Sequence, residues 1–395
     1  MDVFPDLTFV TAATIFDKAA DYDLHVIDAN ADRILPVCLF HLLHTSYDII
    51  IIKSTQYIFE LDVKLSVKLK KEFPNAKLYF AGYISKLLKN WISHNAPSID
   101  SVIDEPLDFF VYKLVYAVDH VDMNRLPCPD YTLFPYDKYT NASGKIRLVL
   151  QASRGCRMNC SYCPYYHFYD GNVYDTDIDV VINNIKEIIL LKPDVIQFRD
   201  QYFTGDKDYI KRLCNRMIEE KIDIKWSCET RIDSLDKGLI DLMVEAGMES
   251  ICFGIESGND KLLNRFNRRY HNINDMKRIA AYLKQKRICT LAFYMLGLPE
   301  ETWESAEMTF RRACEIDSDR ALFFKYQPID YAQQELTPDK FPSLKHEINK
   351  DDASILDNNE IDYMINTYTA IYNYKKVSLE EDYKYWKTLY RNRKE

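Results

Sequence analysis

Three cysteines within eight residues are the strongest chemical signal in the sequence. Cys156, Cys160 and Cys163 have the spacing C-x3-C-x2-C, so one loop can bring three thiolates together. Thiolate sulfur is a preferred ligand of iron–sulfur clusters and of zinc. A cubane with three protein ligands keeps one iron open to a substrate-like ligand. A zinc site needs a fourth ligand, which His167 could supply, and three structural thiols are the remaining alternative.

The elements that must position this loop form a repeating pattern from residue 145 onward. Strand-like segments alternate with helical patterns, which predicts parallel βα units. The predicted strands are 146–151, 195–199, 224–228, 250–255, 290–296 and 322–326, and the predicted helices are 179–191, 207–220, 237–246, 274–286 and 302–316. Six units predict a partial (β/α)6 barrel with its ligand loops at the carboxyl ends of the strands. The cysteine loop follows the first of these strands.

A second α/β unit is predicted ahead of the barrel. Apolar runs at 25–28, 48–52 and 77–82 indicate strands, and apolar residues at helical spacing over 58–73 indicate a helix between them. Prolines at 127, 129 and 135 indicate an extended linker. We therefore expect a truncated Rossmann-like domain at 1–122, a linker at 123–144, the barrel at 145–329, and a C-terminal cap or surface extension at 330–395.

Composition narrows the possible functions. The 395 residues include 60 acidic and 51 basic side chains, giving a net charge of −9, which argues against a nucleic-acid platform. The sequence has no apolar stretch of membrane-spanning length and no signal-peptide pattern at its start, so we expect a cytoplasmic protein. Seven further cysteines show no ligand spacing and are expected to be core thiols. They are Cys38, Cys128, Cys214, Cys228, Cys252, Cys289 and Cys314.

The cysteine loop resembles that of the radical S-adenosylmethionine (SAM) superfamily, with an aromatic residue, Tyr162, before the last cysteine. The segments 198–204, 225–233, 246–258 and 293–301 resemble the branch that carries a cobalamin-binding-type domain before the barrel. The resemblance spans about residues 20–315. It implies a [4Fe-4S] cluster on Cys156, Cys160 and Cys163, SAM bound at the open iron, and an electron donor such as flavodoxin or ferredoxin.

The same resemblance implies a set of SAM contacts. Tyr162 would pack on adenine, although a core aromatic is the simpler alternative. Asp200, which stands where the family often has Gly-Gly-Glu, would accept from the SAM ammonium. Glu229 and Arg231 share one strand face, where the arginine would bind the methionine carboxylate unless the two form a surface ion pair. Glu256 would bind the ribose hydroxyls, and Gly297 and Glu300 match a later adenine-binding pattern.

The N-terminal unit departs from this family. The cobalamin motif Asp-x-His-x-x-Gly is absent, and its nearest match, Asp23-Leu-His25-Val-Ile-Asp28, lacks the glycine. The family's first strand has no counterpart, and Ala81-Gly-Tyr-Ile84 replaces a Gly-Gly-Pro-His element. We therefore expect a degenerate scaffolding domain, with cobalamin possible but not favoured.

Three functions remain open. The leading hypothesis is a radical SAM enzyme that generates a 5'-deoxyadenosyl radical without cobalamin. That radical would abstract hydrogen from a small sugar-like or natural-product-like substrate for dehydration, epimerisation or related C–H chemistry. The alternatives are a cobalamin-dependent radical SAM methyltransferase and a non-catalytic iron–sulfur or zinc binding module.

Overall fold

A computed structural model describes residues 5–19, 21–34, 38–55, 58–140, 143–268, 272–327 and 356–374. The described chain contains a three-stranded parallel sheet, a six-stranded parallel sheet and a two-stranded antiparallel ribbon. The α/β class predicted from the sequence is confirmed. None of the described helices is long and apolar enough to cross a membrane.

The N-terminal unit is built on the smaller sheet. Its elements are α1 (Leu7–Lys18), β1 (Ile49–Lys53), α2 (Phe59–Glu72), β2 (Lys77–Ala81), α3 (Tyr83–Leu87), α4 (Lys89–Asn95), β3 (Ser101–Val102) and α5 (Leu107–Tyr116). The strands lie in the order β1-β2-β3, with Ile51 opposite Tyr79 and Tyr79 opposite Ser101. The predicted strands at 48–52 and 77–82 and the helix at 58–73 are confirmed.

The prediction of a strand at 25–28 is wrong, because this segment has no regular secondary structure and pairs with no strand of the described chain. Side chains hold it instead. The His25 ring stacks on His44 with centroids 4.2 Å apart, and His25 Nδ1 is hydrogen-bonded to the Tyr47 hydroxyl at 2.6 Å. A four-residue apolar run carries too little local information to distinguish a strand from a segment that packs by its side chains.

The barrel contains the larger sheet and the ribbon. Its strands are β4 (Arg147–Leu150), β5 (Ser153–Gly155), β6 (Val173–Asp175), β7 (Val195–Phe198), β8 (Lys225–Thr230), β9 (Met248–Glu256), β10 (Cys289–Leu296) and β11 (Arg320–Lys325). Its helices are α6 (Pro164–Phe168), α7 (Ile178–Ile189), α8 (Lys207–Glu219), α9 (Lys237–Glu245), α10 (Asp260–Arg265), α11 (Ile273–Gln285), α12 (Trp303–Ile316) and α13 (Asn358–Tyr374). The sheet order is β4-β7-β8-β9-β10-β11. All six predicted strands and all five predicted helices are present within a few residues.

The two faces of the large sheet differ in exposure. Outward side chains such as Phe198 and Trp226 are buried against the surrounding helices. Inward side chains alternate with them along the strands, and Arg199, Glu229 and Cys252 on this face are partly exposed. The main core therefore lies between the sheet and the helices, and the inner face remains accessible.

The helix α13 follows the sixth strand of the barrel. Tyr368 packs edge-on against Phe323 of β11, and the Asn373 amide donates to the Ala321 carbonyl at 2.8 Å. Within the region expected to be a cap or extension, this helix therefore packs on the barrel sheet. Residues 330–355 and 375–395 of that region lie outside the described residues.

Candidate functional site

Two residues that follow β7 bind the segment that leads into the cysteine loop. The Asp200 carboxylate accepts from the Ser153 amide at 2.5 Å, from the Ser153 hydroxyl at 2.8 Å and from the Ala152 amide at 3.1 Å. Gln201 Oε1 accepts from the Gly155 amide at 2.7 Å. Both acceptors follow β7, and both bind the segment that leads into Cys156.

This arrangement gives Asp200 a different environment from the one the resemblance implied. The side chain is buried, burial raises its pKa to about 7, and both of its oxygens are engaged with the loop backbone. Asp200 therefore contacts the segment that leads into the cysteine loop through both of its oxygens. Only the pairing of β4 with β7 brings residues 152 and 200 together, so no local pattern could have predicted this contact.

The three loop thiols share one electrostatic environment. Cys156 and Cys160 are buried and Cys163 is half-buried. The Met158 amide donates to Cys156 Sγ at 3.4 Å. Burial, together with the neighbouring Cys160 and Cys156, raises the pKa of the Cys163 thiol to about 12. The positive charge of a bound metal would favour the thiolate form of these residues.

These residues fit an iron–sulfur cluster better than a single zinc ion. No group of three or more His, Cys, Asp or Glu side chains within the described ranges lies close enough together to hold one metal ion. A cubane binds each thiolate at a separate iron, so its ligands are spread more widely than those of zinc. The His167 carbonyl, on α6, accepts from Lys86, and its ring packs edge-on against Tyr166. Amide donation to Cys156 is also typical of cluster sites.

A buried acid and a buried arginine lie beside the thiols. Glu256 ends β9 with φ +71°, an uncommon conformation for a residue with a side chain. Its carboxylate pairs with Arg268 at 3.4 Å and interacts electrostatically with Cys163, and the Tyr162 hydroxyl hydrogen-bonds to it. Burial raises the pKa of Glu256, and Arg268 opposes this rise. Thus Tyr162 and Glu256, both predicted site residues, meet at one place.

Arg268 was not predicted from the sequence. Its guanidinium donates to the Gly254 carbonyl at 2.9 Å, and its charge lowers the pKa of Cys156 against the larger effect of burial. A methyl group on Gly254 would overlap the Glu256 carboxylate and lie 3.0 Å from Arg268 Nη2. Gly254 therefore makes room for this ion pair. Arg268 follows α10 at no informative spacing from Glu256, so the sequence carries no signal for their contact.

Glu229 and Arg231 do not pair with each other. Glu229 forms an ion pair with Arg199 on the inner face of the barrel and lies 3.4 Å from the Gln197 amide nitrogen. The Arg231 guanidinium binds Asp233 through two hydrogen bonds of 3.0 and 2.7 Å. The charge of Arg231 acts to lower the pKa of both Cys156 and Glu256. Arg231 thus lies near the predicted SAM site with part of its planar fork engaged, whereas Glu229 faces the barrel interior.

In the turn after β10, the acid that binds the backbone amides is Glu301, the neighbour of the predicted Glu300. Glu300 is 66% exposed and forms an ion pair with Arg265. Its neighbour Glu301 is fully buried and accepts from the amides of Gly297 and Leu298. Gly297 has φ +84°, and a methyl group there would lie 2.8 Å from Ile361 of α13. Glu301 therefore shapes the turn around Gly297, and Glu300 lies at the surface.

An apolar cluster adjoins the Glu256–Arg268 pair. Tyr162 packs edge-on against Phe266 with ring centroids 6.1 Å apart, and Phe266 packs against Tyr326 at 5.4 Å. Leu262 and Leu298 complete the cluster. Aromatic rings of this kind favour contact with flat apolar groups such as adenine, and the Glu256 carboxylate nearby can accept from sugar hydroxyls. The residues that meet here therefore fit SAM.

The carboxyl edge of the small sheet is where a nucleotide-like cofactor would be expected in such a fold. Lys53, at the end of β1, forms an ion pair with Asp6 and donates to Thr8 Oγ1 at 2.9 Å. Ala81, at the end of β2, is buried in a cluster with α1, α5 and Tyr169. In the described part of the chain, side chains therefore cover the carboxyl ends of β1 and β2, where a corrinoid would dock.

Comparisons with known proteins agree with this architecture. Residues 150–313 match the radical SAM superfamily. An uncharacterized methyltransferase of Pyrococcus horikoshii is 29% identical over 208 residues, which cover 51% of this chain and 44% of that protein. The anaerobic magnesium-protoporphyrin IX monomethyl ester cyclase of Rubrivivax gelatinosus is 27% identical over 217 residues, covering 53% and 38%. Residues 150–313 therefore form a radical SAM domain, as the cysteine loop predicted.

Solved structures extend the similarity to the N-terminal unit. The radical SAM methyltransferase TsrM from Kitasatospora setae, with cobalamin and a [4Fe-4S] cluster bound, aligns with a TM-score of 0.65 at 13% identity, covering 82% of this chain and 72% of TsrM. The cobalamin-dependent enzyme OxsB aligns with a TM-score of 0.64 at 17% identity, covering 92% and 55%. Identities this low show the fold alone. The match spans less than half of either curated relative.

Proposed function

We propose that this protein is a radical SAM enzyme acting on a small molecule. The observation that carries the proposal is that three neighbouring thiols on one loop lie beside the buried Glu256–Arg268 pair and the Tyr162 cluster. When bound at these thiols, a [4Fe-4S] cluster supplies the electron that cleaves SAM to methionine and a 5'-deoxyadenosyl radical. The protein must then orient SAM and exclude water around it.

The residues divide this task between them. Cys156, Cys160 and Cys163 hold the metal, and the Met158 amide stabilises negative charge on Cys156. Glu256 presents a carboxylate to the ribose hydroxyls, and Arg268 keeps that carboxylate in place. Arg231 adds positive charge next to Cys156, where the methionine carboxylate of SAM would bind. The rings around Phe266 would lie against the adenine and exclude water.

The inner face of the barrel supports a substrate of mixed polarity. Its β7 and β8 side carries the partly exposed Arg199–Glu229 pair, and its β10 and β11 side carries Phe293 and Phe324, whose rings lie 5.8 Å apart. A sugar-like or natural-product-like molecule has both polar groups and apolar surface. Hydrogen abstraction from it would lead to dehydration, epimerisation or related C–H chemistry.

Cobalamin is not part of the leading proposal, because side chains fill the edge of the small sheet where it would dock. A cobalamin-dependent methyltransferase is the second candidate. It is supported by the fold shared with TsrM and OxsB and by methyltransferases among the relatives.

The decisive experiment uses anaerobically reconstituted full-length protein, a low-potential one-electron reductant and SAM, with and without hydroxocobalamin. We expect 5'-deoxyadenosine without S-adenosylhomocysteine, and no dependence on added cobalamin. Near-stoichiometric corrinoid binding together with S-adenosylhomocysteine formation would favour the methyltransferase. A cluster that cleaves no SAM with any reductant would favour a non-catalytic module. The Cys156→Ala variant controls for cluster-independent breakdown of SAM.

A further inference from the structure

Four alternating charges connect the N-terminal unit to the cysteine loop. Asp6, the N-cap of α1, pairs with Lys53 at the end of β1, and Asp108 in the first turn of α5 pairs with Arg154 in the middle of β5. The charges of Asp108 and Arg154 both act on the pKa of Lys53, so the two ion pairs lie close together and form one group. We call these four residues the interdomain charge chain. Its last member lies two residues before Cys156.

The Asp108–Arg154 pair is the deeply buried part of this chain. The Asp108 side chain is 0% exposed and that of Arg154 is 5% exposed. Removing two charges from water is costly, and the attraction between them offsets that cost only when their geometry is well fixed. A buried ion pair is therefore weak evidence for stability, and its best-attested use is to fix one arrangement of the parts that it joins.

The parts joined here include both strands that flank the cysteine loop. The Arg154 guanidinium lies over the Phe109 ring at 5.5 Å, and the Phe109 ring packs against Tyr174 of β6 at 5.3 Å and against Tyr169 at 6.4 Å. β5 enters the loop and β6 leaves it, and these strands pair with each other. Residues Asp108 and Phe109 of α5 thus hold both ends of the loop.

Residues 153–155, which lead into the cysteine loop, are bound by both domains. Ser153 and Gly155 bind Asp200 and Gln201 of the barrel through their backbone amides, whereas the Arg154 side chain binds the N-terminal unit. Side chains stand out of the plane of a strand and backbone amides lie within it, so the two sets of contacts act on the strand from different directions. The position of the Cys156 backbone therefore depends on both domains.

We infer that Asp108, acting through Arg154, positions the cysteine loop for cluster binding. This inference rests on the proposed function, because it assumes that the loop holds a cluster. It assigns the N-terminal domain a positioning role in place of cofactor binding. Asp108 and Arg154 are positioning residues, since neither touches the thiols in the structure.

The test removes both charges together, in the double variant Asp108→Asn/Arg154→Met, so that no unpaired charge stays buried. The matched control is Asp104→Asn, which breaks the Asp104–Lys89 ion pair of the same domain, where both side chains are about half exposed. Thermal unfolding shows whether the variant is folded. Three measurements show whether the loop still positions the cluster: the iron content, the electron paramagnetic resonance spectrum of the reduced cluster with and without SAM, and the midpoint potential.

We expect the double variant to fold, to incorporate at least two-fold less iron than wild type under the same reconstitution, and to give a broadened spectrum that SAM changes less. The control should match wild type. Full iron content with an unchanged spectrum and potential in the folded double variant would overturn the inference. If the double variant unfolds, Arg154→Lys, which keeps the charge but loses the planar fork, gives the same comparison. Absence of a cluster from wild type would refute the proposed function instead.

Discussion

The buried carboxyl group of Glu301 provides a quantitative test of the turn beside the proposed SAM site. Glu301 is 0% exposed, and burial raises its pKa from the ordinary 4.5 to about 7, although two backbone amides donate to it. Each tenfold change in proton affinity is worth about 1.4 kcal/mol. Ionising Glu301 therefore costs the folded state about 3 kcal/mol relative to the unfolded chain.

The sign of the effect follows from the direction of this pKa change. Between pH 4.5 and about 7 the folded protein keeps a proton on Glu301 that the unfolded chain has released. The folded state binds more protons in this window, so the contribution of Glu301 to the free energy of unfolding falls as the pH rises. Below pH 4.5 the cost is absent, and above pH 7 it is complete.

The perturbation is Glu301→Gln, which keeps an oxygen that can accept from both amides and never ionises. We expect the variant to gain about 3 kcal/mol of stability relative to wild type between pH 4.5 and pH 8, measured by urea unfolding with tryptophan fluorescence. The matched control is Glu300→Gln, because Glu300 is the adjacent acid and lies at the surface. Equal stability differences at both pH values would show that Glu301 is not the buried, protonated group that the structure describes.

Three further predictions concern the site. Replacing any one of the three loop cysteines by Ala should abolish the cluster, whereas Cys314→Ala should leave the iron content unchanged. Glu256→Gln should weaken SAM binding about 10- to 150-fold, because a hydrogen bond to a charged group is typically worth about 1.5 to 3 kcal/mol; unchanged affinity in calorimetry would place the ribose elsewhere. Gly254→Ala should weaken SAM binding at least 10-fold, because the added methyl overlaps the Glu256 carboxylate, whereas Ser250→Ala on the same strand should bind SAM as wild type does.

The sequence determined the features that depend on short-range patterns. The six barrel strands and the helices between them follow from alternating apolar segments whose period reports secondary structure directly. The cysteine spacing indicated a cluster because three ligands on one loop are close together whatever the rest of the chain does. The same reasoning failed at 25–28, where stacking on His44 and a hydrogen bond to Tyr47 replace strand pairing.

Only the tertiary structure decided which polar groups meet. Asp200 binds Ser153, and Asp108 binds Arg154, across 46 or more residues of sequence, because sheet pairing and domain packing bring these segments together. Glu300 and Glu301 are identical in type and adjacent in sequence, yet one is exposed and the other buried, since the turn at Gly297 turns only Glu301 inward. Burial and long-range ion pairing depend on the whole fold, and no local residue pattern encodes them.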